Sequence, residues 1–124
     1  MRLEYSEDAK QDLQLFRENL NIFNHSGDSF IDKLLIHARK LTKTPMLGTS
    51  LQTKTLAITD YRFLVFPFSK RQIYLIIYRI DDKNKVVYIN RVFDGRMNYL
   101  NKLFGDQAQL AVNTQQPLDT DVYI

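Results

Sequence analysis

The side chains best placed to act on charged groups are cations, with one tyrosine, in the second half of the chain. Arg62, Arg79 and Arg91 fall inside apolar runs, and Arg96, Tyr99 and Lys102 follow close behind. Lys70 and Arg71 stand together in a polar break between two of those runs. A guanidinium pairs carboxylate or phosphate oxygens in bidentate geometry, so such residues either grip an acidic partner or orient a phosphodiester. Cleaving a phosphodiester needs several cations converging on the charge that develops. Other chemistries lack their parts. With no cysteine, disulfides and thiolate metal sites are excluded. His25 lies in a polar turn and His37 mid-helix, neither with a ligand partner at metal spacing, and no Ser-His-Asp grouping can be built on them. The four glycines are dispersed at apparent turns, so there is no phosphate-cradling loop. No cofactor and no metal is expected.

The elements that must position these residues are legible from periodicity. Arg2–Tyr5 alternates as a short strand. Ser6 suits an N-cap, with Glu7 and Asp8 in the first turn, and Ala9, Leu13, Phe16, Leu20 and Phe23 form one helical face. A turn at Asn24–Asp28 leads to a second helix burying Phe30, Ile31, Leu34, Leu35, Ala38 and Leu41, which Thr44-Pro45 ends. Leu47-Gly48 reads as a turn and Leu51–Ile58 as a weak strand or extended loop. Three apolar strands follow, Tyr61–Phe66, Ile73–Ile80 and Val86–Phe93, joined by compact loops. Asp94-Gly95 turns the chain into a short closing helix over Arg96–Phe104. The order β-α-α-β-β-β predicts an α+β fold, a helical hairpin packed on one face of a small, mainly antiparallel sheet. One domain is expected over residues 1–104, with 105–124 a mobile or docked tail.

Charge is divided along the chain. Residues 1–44 balance seven basic against seven acidic side chains, residues 45–104 carry ten basic against four acidic, and residues 105–124 carry three aspartates and no cation. A localised cationic surface favours nucleic acid or acidic peptides, although scattered solubilising charge explains the same numbers. The acidic start MRLEYSEDAK has no apolar core of a signal peptide, and the longest apolar runs fall far short of the roughly 20 residues needed to cross a bilayer.

Strand parity gives a sharper expectation. With Phe66 opposite Ile73 and Ile80 opposite Val86, one sheet face carries Arg62, Leu64, Leu75, Ile77, Arg79, Ile89 and Arg91. Burying unpaired arginine is costly, so this face should be the one left uncovered by the helices. An apolar patch rimmed by arginine is a partner-binding surface. Two alternatives stand beside it: the acidic tail covers the patch, or Arg62 and Arg79 pair with Asp60 and Asp81. Tyr61, Tyr74, Tyr78 and Tyr88 read as core aromatics. Tyr99 reads as packing or catalytic, and Lys70, Arg71, Arg96 and Lys102 as nucleic-acid contacts or solvated charge.

From about Leu3 to Phe104 the chain resembles the RelE/ParE toxins of bacterial toxin–antitoxin pairs. The resemblance rests on Tyr5-Ser6-Glu7-Asp8-Ala9, the helical hairpin ending at Leu41–Pro45, Leu47-Gly48, Tyr61–Val65, Tyr74–Ile80 and Ile89–Arg96. It implies a small cytoplasmic growth-inhibiting toxin, neutralised by a cognate antitoxin in a hetero-oligomer. One branch of that family cleaves mRNA in the ribosome with basic residues and often a C-terminal tyrosine or histidine; the other poisons DNA gyrase without that set. Here Arg62 keeps a basic position on the first hairpin strand, Arg91 and Arg96 keep the exit strand cationic, and Tyr99 is a candidate stand-in for the catalytic aromatic, whereas Leu64 and Leu75 stand where the ribonuclease branch tends to carry basic side chains. The resemblance therefore implies the gyrase-directed, ParE-like branch, with an endoribonuclease or an inactive antitoxin-binding form as alternatives.

Overall fold

Ser6 sets the start of the first helix and ties it to the far end of the chain. In the computed structural model, which describes residues 1–51 and 60–95, strand β1 (Arg2–Tyr5) passes through Ser6 into helix α1 (Glu7–Asn24). The Ser6 hydroxyl accepts the Ala9 N–H at 3.0 Å and donates to the Asn90 carbonyl at 2.7 Å. One hydroxyl thus caps the helix and pins it to the last strand. Glu7 and Asp8 lie in the first turn, where carboxylates complement the helix dipole.

His25, in the left-handed conformation at φ 58°, ends α1, and helix α2 (Gly27–Arg39) follows at once. The Gly27 N–H donates to the Asn21 side-chain oxygen at 2.7 Å, and a Cβ at Gly27 would run into the Arg17 carbonyl oxygen. Only glycine lets the hairpin close this tightly. Two single turns of 3₁₀ helix, Lys40–Thr42 and Pro45–Leu47, carry the chain to the two-residue strand β2 (Thr49–Ser50). Strands β3 (Tyr61–Pro67), β4 (Ile73–Asp81) and β5 (Val86–Asp94) complete a five-stranded sheet in the order β1-β5-β4-β3-β2. β1 runs parallel to β5 and every other pair is antiparallel.

The architecture is the expected one, two helices on one face of a mixed, mainly antiparallel sheet. Phe30, Leu34, Ala38 and Leu41 pack with Ala9 and Leu13 over Leu64, Phe66, Tyr74, Ile76, Tyr78, Val87, Ile89 and Val92. Phe30 lies at the centre, with ring centroids 4.7 Å from Tyr74, 5.4 Å from Phe68, 5.9 Å from Phe66 and 6.0 Å from Phe16. Phe23, expected on the buried face of α1, is instead 84% exposed. It falls in the last turn of α1, two residues before the left-handed His25 that ends the helix. The expected weak strand at Leu51–Ile58, the closing helix and the boundary at residue 104 lie mostly or wholly outside the described residues.

Phe30→Ala should lower stability by about 3–5 kcal/mol, since it opens a cavity among four other aromatic rings. Urea unfolding checks this: a midpoint shift worth less than about 1 kcal/mol would mean the ring cluster is not the centre of the core.

Candidate functional site

The strand register decides which cations face outward. Phe66 pairs with Tyr74 and Pro67 with Ile73, because Pro67 still belongs to β3 and the loop closes through hydrogen bonds between Phe68, Ser69 and Gln72. At the next hairpin Asp81 pairs with Val86. Asp81 there accepts the Asn84 N–H at 3.1 Å and the Asn84 amide at 2.8 Å, and Lys85 takes the left-handed conformation at φ 57°. Those Asn84 bonds also hold the exposed Asp81 carboxyl below its ordinary pKa. Each hairpin is thus one residue off the simple register, and a one-residue slip exchanges the faces of a strand.

A second irregularity partly reverses the first. Ile77 pairs with Arg91 and Tyr78 with Ile89, leaving Asn90 as the extra residue of a β-bulge. Past the bulge, Arg91 and Phe93 return to the side carrying Leu75, Ile77 and Arg79, away from the helices. The expectation that Arg62, Arg79 and Arg91 share one uncovered face is therefore corrected. Arg79 and Arg91 share it; Arg62, with Leu64 and Ile89, lies on the helix side. Nor is there an open apolar centre, since Leu64, Leu75, Ile77 and Ile89 are all buried.

Each arginine has its own surroundings. Arg62 donates from Nη2 to the Gly48 carbonyl at 2.7 Å and to the Met46 carbonyl at 3.3 Å, while its buried Nε has no partner among the described residues. Beside it the Tyr78 hydroxyl donates to the Pro45 carbonyl at 2.7 Å and accepts the Gly48 N–H at 2.8 Å. A Cβ at Gly48 would strike the Phe63 carbonyl oxygen and the Tyr78 hydroxyl. Arg62 and Tyr78 thus lash the Pro45–Gly48 turn onto the sheet.

Arg91 reaches round the sheet edge to Asp12 of α1, with Nε and Nη2 at 2.8 and 2.9 Å from its two oxygens. The same carboxylate accepts the Val92 N–H at 2.9 Å. These bonds raise the Arg91 pKa further above its ordinary value, against partial burial. Arg79 differs from both. It is exposed, and its guanidinium lies 4.6 Å from the centre of the Tyr88 ring.

The remaining expected residues are spread out. Lys70 and Arg71 are exposed in the loop between β3 and β4. Arg96, Tyr99 and Lys102 lie outside the described residues. Among the described residues no group of three or more His, Asp or Glu side chains could hold a metal ion, and no helix is long and apolar enough to cross a membrane.

Three features went unread in the sequence. Asp12 anchors Arg91; its position one residue before the buried Leu13 was the available signal. His37 reaches from α2 to the outer side of β3, its Nε2 donating to the Val65 carbonyl at 2.8 Å and its ring 5.4 Å from Phe66. Burial lowers the His37 pKa, Lys40 repels its cation in the same sense, and the Val65 bond opposes both. Tyr5 has a buried hydroxyl without a hydrogen-bond partner among the described residues, and burial pushes its pKa up to about 12, against the nearby charge of Arg39. Tyr5 lines an open cavity of about 270 Å³ between the helices, with Leu13, Ile31 and Leu35 as apolar walls and Lys10 and Arg17 at its polar side.

Residues 3–99 match the family model described as the ParE toxin of the type II toxin–antitoxin system parDE. The chain belongs to the ParE toxin family. A solved structure from the chromosomal ParDE toxin–antitoxin system of P. aeruginosa shares its fold at a TM-score of 0.61 and 14% identity, over 76% of this chain and 95% of that one. No curated protein matches it. In this ParE-family chain the fold assigns Arg62 and Arg91 to internal acceptors and leaves Arg79 outward.

Two measurements test these ties. Asp12→Ala strands the Arg91 guanidinium and the Val92 N–H together, which should lower stability by about 3 kcal/mol. Equal urea midpoints for the variant and the parent would show that the clamp contributes nothing. His37 has a folded pKa below its ordinary 6.5, so the unfolded chain takes up its proton more readily. Its contribution is complete above pH 6.5 and is lost as pH falls through the lower folded value. Thermal midpoints should drop between pH 7.5 and pH 5, and His37→Gln, which keeps an N–H donor, should flatten that drop. An identical slope in both proteins rejects the assignment.

Proposed function

We propose that this ParE-family chain acts as a growth-inhibiting toxin by binding DNA gyrase, without cutting a phosphodiester itself, and that a cognate antitoxin neutralises it. The observation that carries the reading is the engagement of Arg62 and Arg91. A ribonuclease needs several cations free to converge on one phosphate. Here the Arg62 guanidinium faces two backbone carbonyls and that of Arg91 is held bidentate by Asp12. They also belong to opposite faces of the sheet, so neither can join the other around one scissile group. Leu64 and Leu75, at positions where the ribonuclease branch tends to carry cations, are buried. Family membership supplies the toxin–antitoxin setting, and the gyrase-directed branch is the one that does without this cationic set.

Arg79 is the strand arginine best placed to meet the antitoxin. It is exposed, braced on Tyr88, and presents a planar fork suited to a carboxylate. The antitoxin-binding role first expected for seven residues is thus proposed chiefly for Arg79 and its surroundings.

Purified full-length protein should block gyrase supercoiling, and cognate antitoxin should restore it. No block at any excess, together with new 5′ ends on translated messages after induction, would move the chain to the ribonuclease branch. Arg79→Glu should weaken antitoxin binding by about 2 kcal/mol or more, as for a charge pair desolvated in an interface. Lys70→Glu serves as the control. Calorimetry giving equal affinities for both variants would remove Arg79 from the interface.

A further inference from the structure

Folding gathers cations that the sequence keeps apart. Arg2 opens β1, Arg39 closes α2, Lys40 and Lys43 flank the turn after it, and Lys83 and Lys85 belong to the loop between β4 and β5. Two bonds bring these segments to one end of the sheet. The Met1 nitrogen donates to the Thr42 carbonyl at 2.7 Å and Arg2 N–H to the Lys85 carbonyl at 2.8 Å. Parallel pairing of Arg2 with Val86 fixes the same juxtaposition.

All six cations are exposed, and among the described residues only Arg2 has an ion-pair partner, Glu4 at 3.1 Å. The other carboxylates at this end are Asp81, which is turned onto Asn84, Asp82, and the exposed Asp60 just before β3. Arg39 and Lys40 also complement the dipole at the end of α2, which accounts for two of the six. The helix has no such claim on Arg2, Lys83 or Lys85, which arrive from other elements.

We propose that this end of the molecule grips the phosphodiester backbone of a nucleic-acid duplex. Four of the six groups are lysines, flexible point charges that can follow a row of phosphates without a fixed bidentate geometry. Single-stranded binding relies on aromatic rings interleaved with cations, and no exposed aromatic residue stands among these six. Duplex binding of this kind reads no sequence and responds steeply to salt. It requires neither gyrase nor the antitoxin, so it stands or falls separately from the proposed target.

The test is fluorescence anisotropy of the full-length protein against labelled 20-base-pair DNA and RNA duplexes, from 50 to 200 mM NaCl. Binding should weaken with salt along a log–log slope of roughly −3 or steeper, as for three or more neutralised phosphates. Whether DNA, RNA or both bind identifies the helix form. Lys40→Glu/Lys43→Glu/Lys83→Glu should reduce affinity at least tenfold while circular dichroism stays unchanged. Lys70→Glu/Arg71→Glu, at the opposite end of the strands, should leave it within about twofold. No binding at 50 mM salt, equal loss in both variants, or equally tight binding to poly-glutamate would each overturn the proposal.

Discussion

Among the described residues one edge of β5 has no strand beside it past Ile89, and much of the molecule is arranged around closing it. β1 pairs with β5 only as far as Tyr5 and Ile89. Beyond that point β5 would present bare polar backbone, which is costly when buried. Helix α1 supplies the missing partners. Ser6 N–H bonds to the Ile89 carbonyl, the Ser6 hydroxyl to Asn90, and the Asp12 carboxylate to the Val92 N–H. The bulge at Asn90 lies in this stretch, where a helix and not a strand is the neighbour. The helix cap, the strand irregularity and the Asp12–Arg91 pair are parts of one solution to one backbone problem.

That solution limits what the arginines can do. Arg91 neutralises the carboxylate that closes the edge, so freeing it for a partner would leave Asp12 half-buried and unpaired. Arg62 satisfies carbonyls of a turn that also depends on Tyr78 and admits no side chain at Gly48. Both are structural ties whose removal would be felt in the fold before it was felt in any contact. Under the proposed function this suits a rigid binder, because the cations of Arg62 and Arg91 are already engaged.

Element types were legible because they rest on local signals: the capping serine, the apolar face of each helix, and three strong β runs with turn residues between them. Register was not, because it depends on where hairpin loops close. Pro67 extended β3 by one position, and the Asp81–Asn84 bonds fixed a turn one residue tighter than assumed. Each slip inverted a face, while the bulge restored Arg91 to the side first expected for it. Asp12 and His37 stayed hidden for a related reason. A carboxylate and an imidazole on helices read as solvated or incidental until the strand beside each is known, and both acceptor and donor belong to strand backbone, which carries no side-chain signal.

Burial of both sheet faces changes how a partner must approach. Leu75, Ile77, Val86 and Phe93 lie away from the helices yet are fully buried, so the middle of that face offers no apolar landing site. What the described surface does offer is cations at its ends and margins and a few separate apolar side chains: Leu15, Ile22 and Phe23 on α1, Ile36 on α2, and Met46 and Leu47 beside Arg62. Interfaces assembled from charged margins and dispersed apolar anchors gain speed and selectivity from electrostatics, and draw affinity from a few well-seated contacts. Arg79 with Tyr88 adjoins the six-cation end of the sheet, two residues along β4 from Asp81, so the two proposed surfaces are continuous and a partner on one crowds the other.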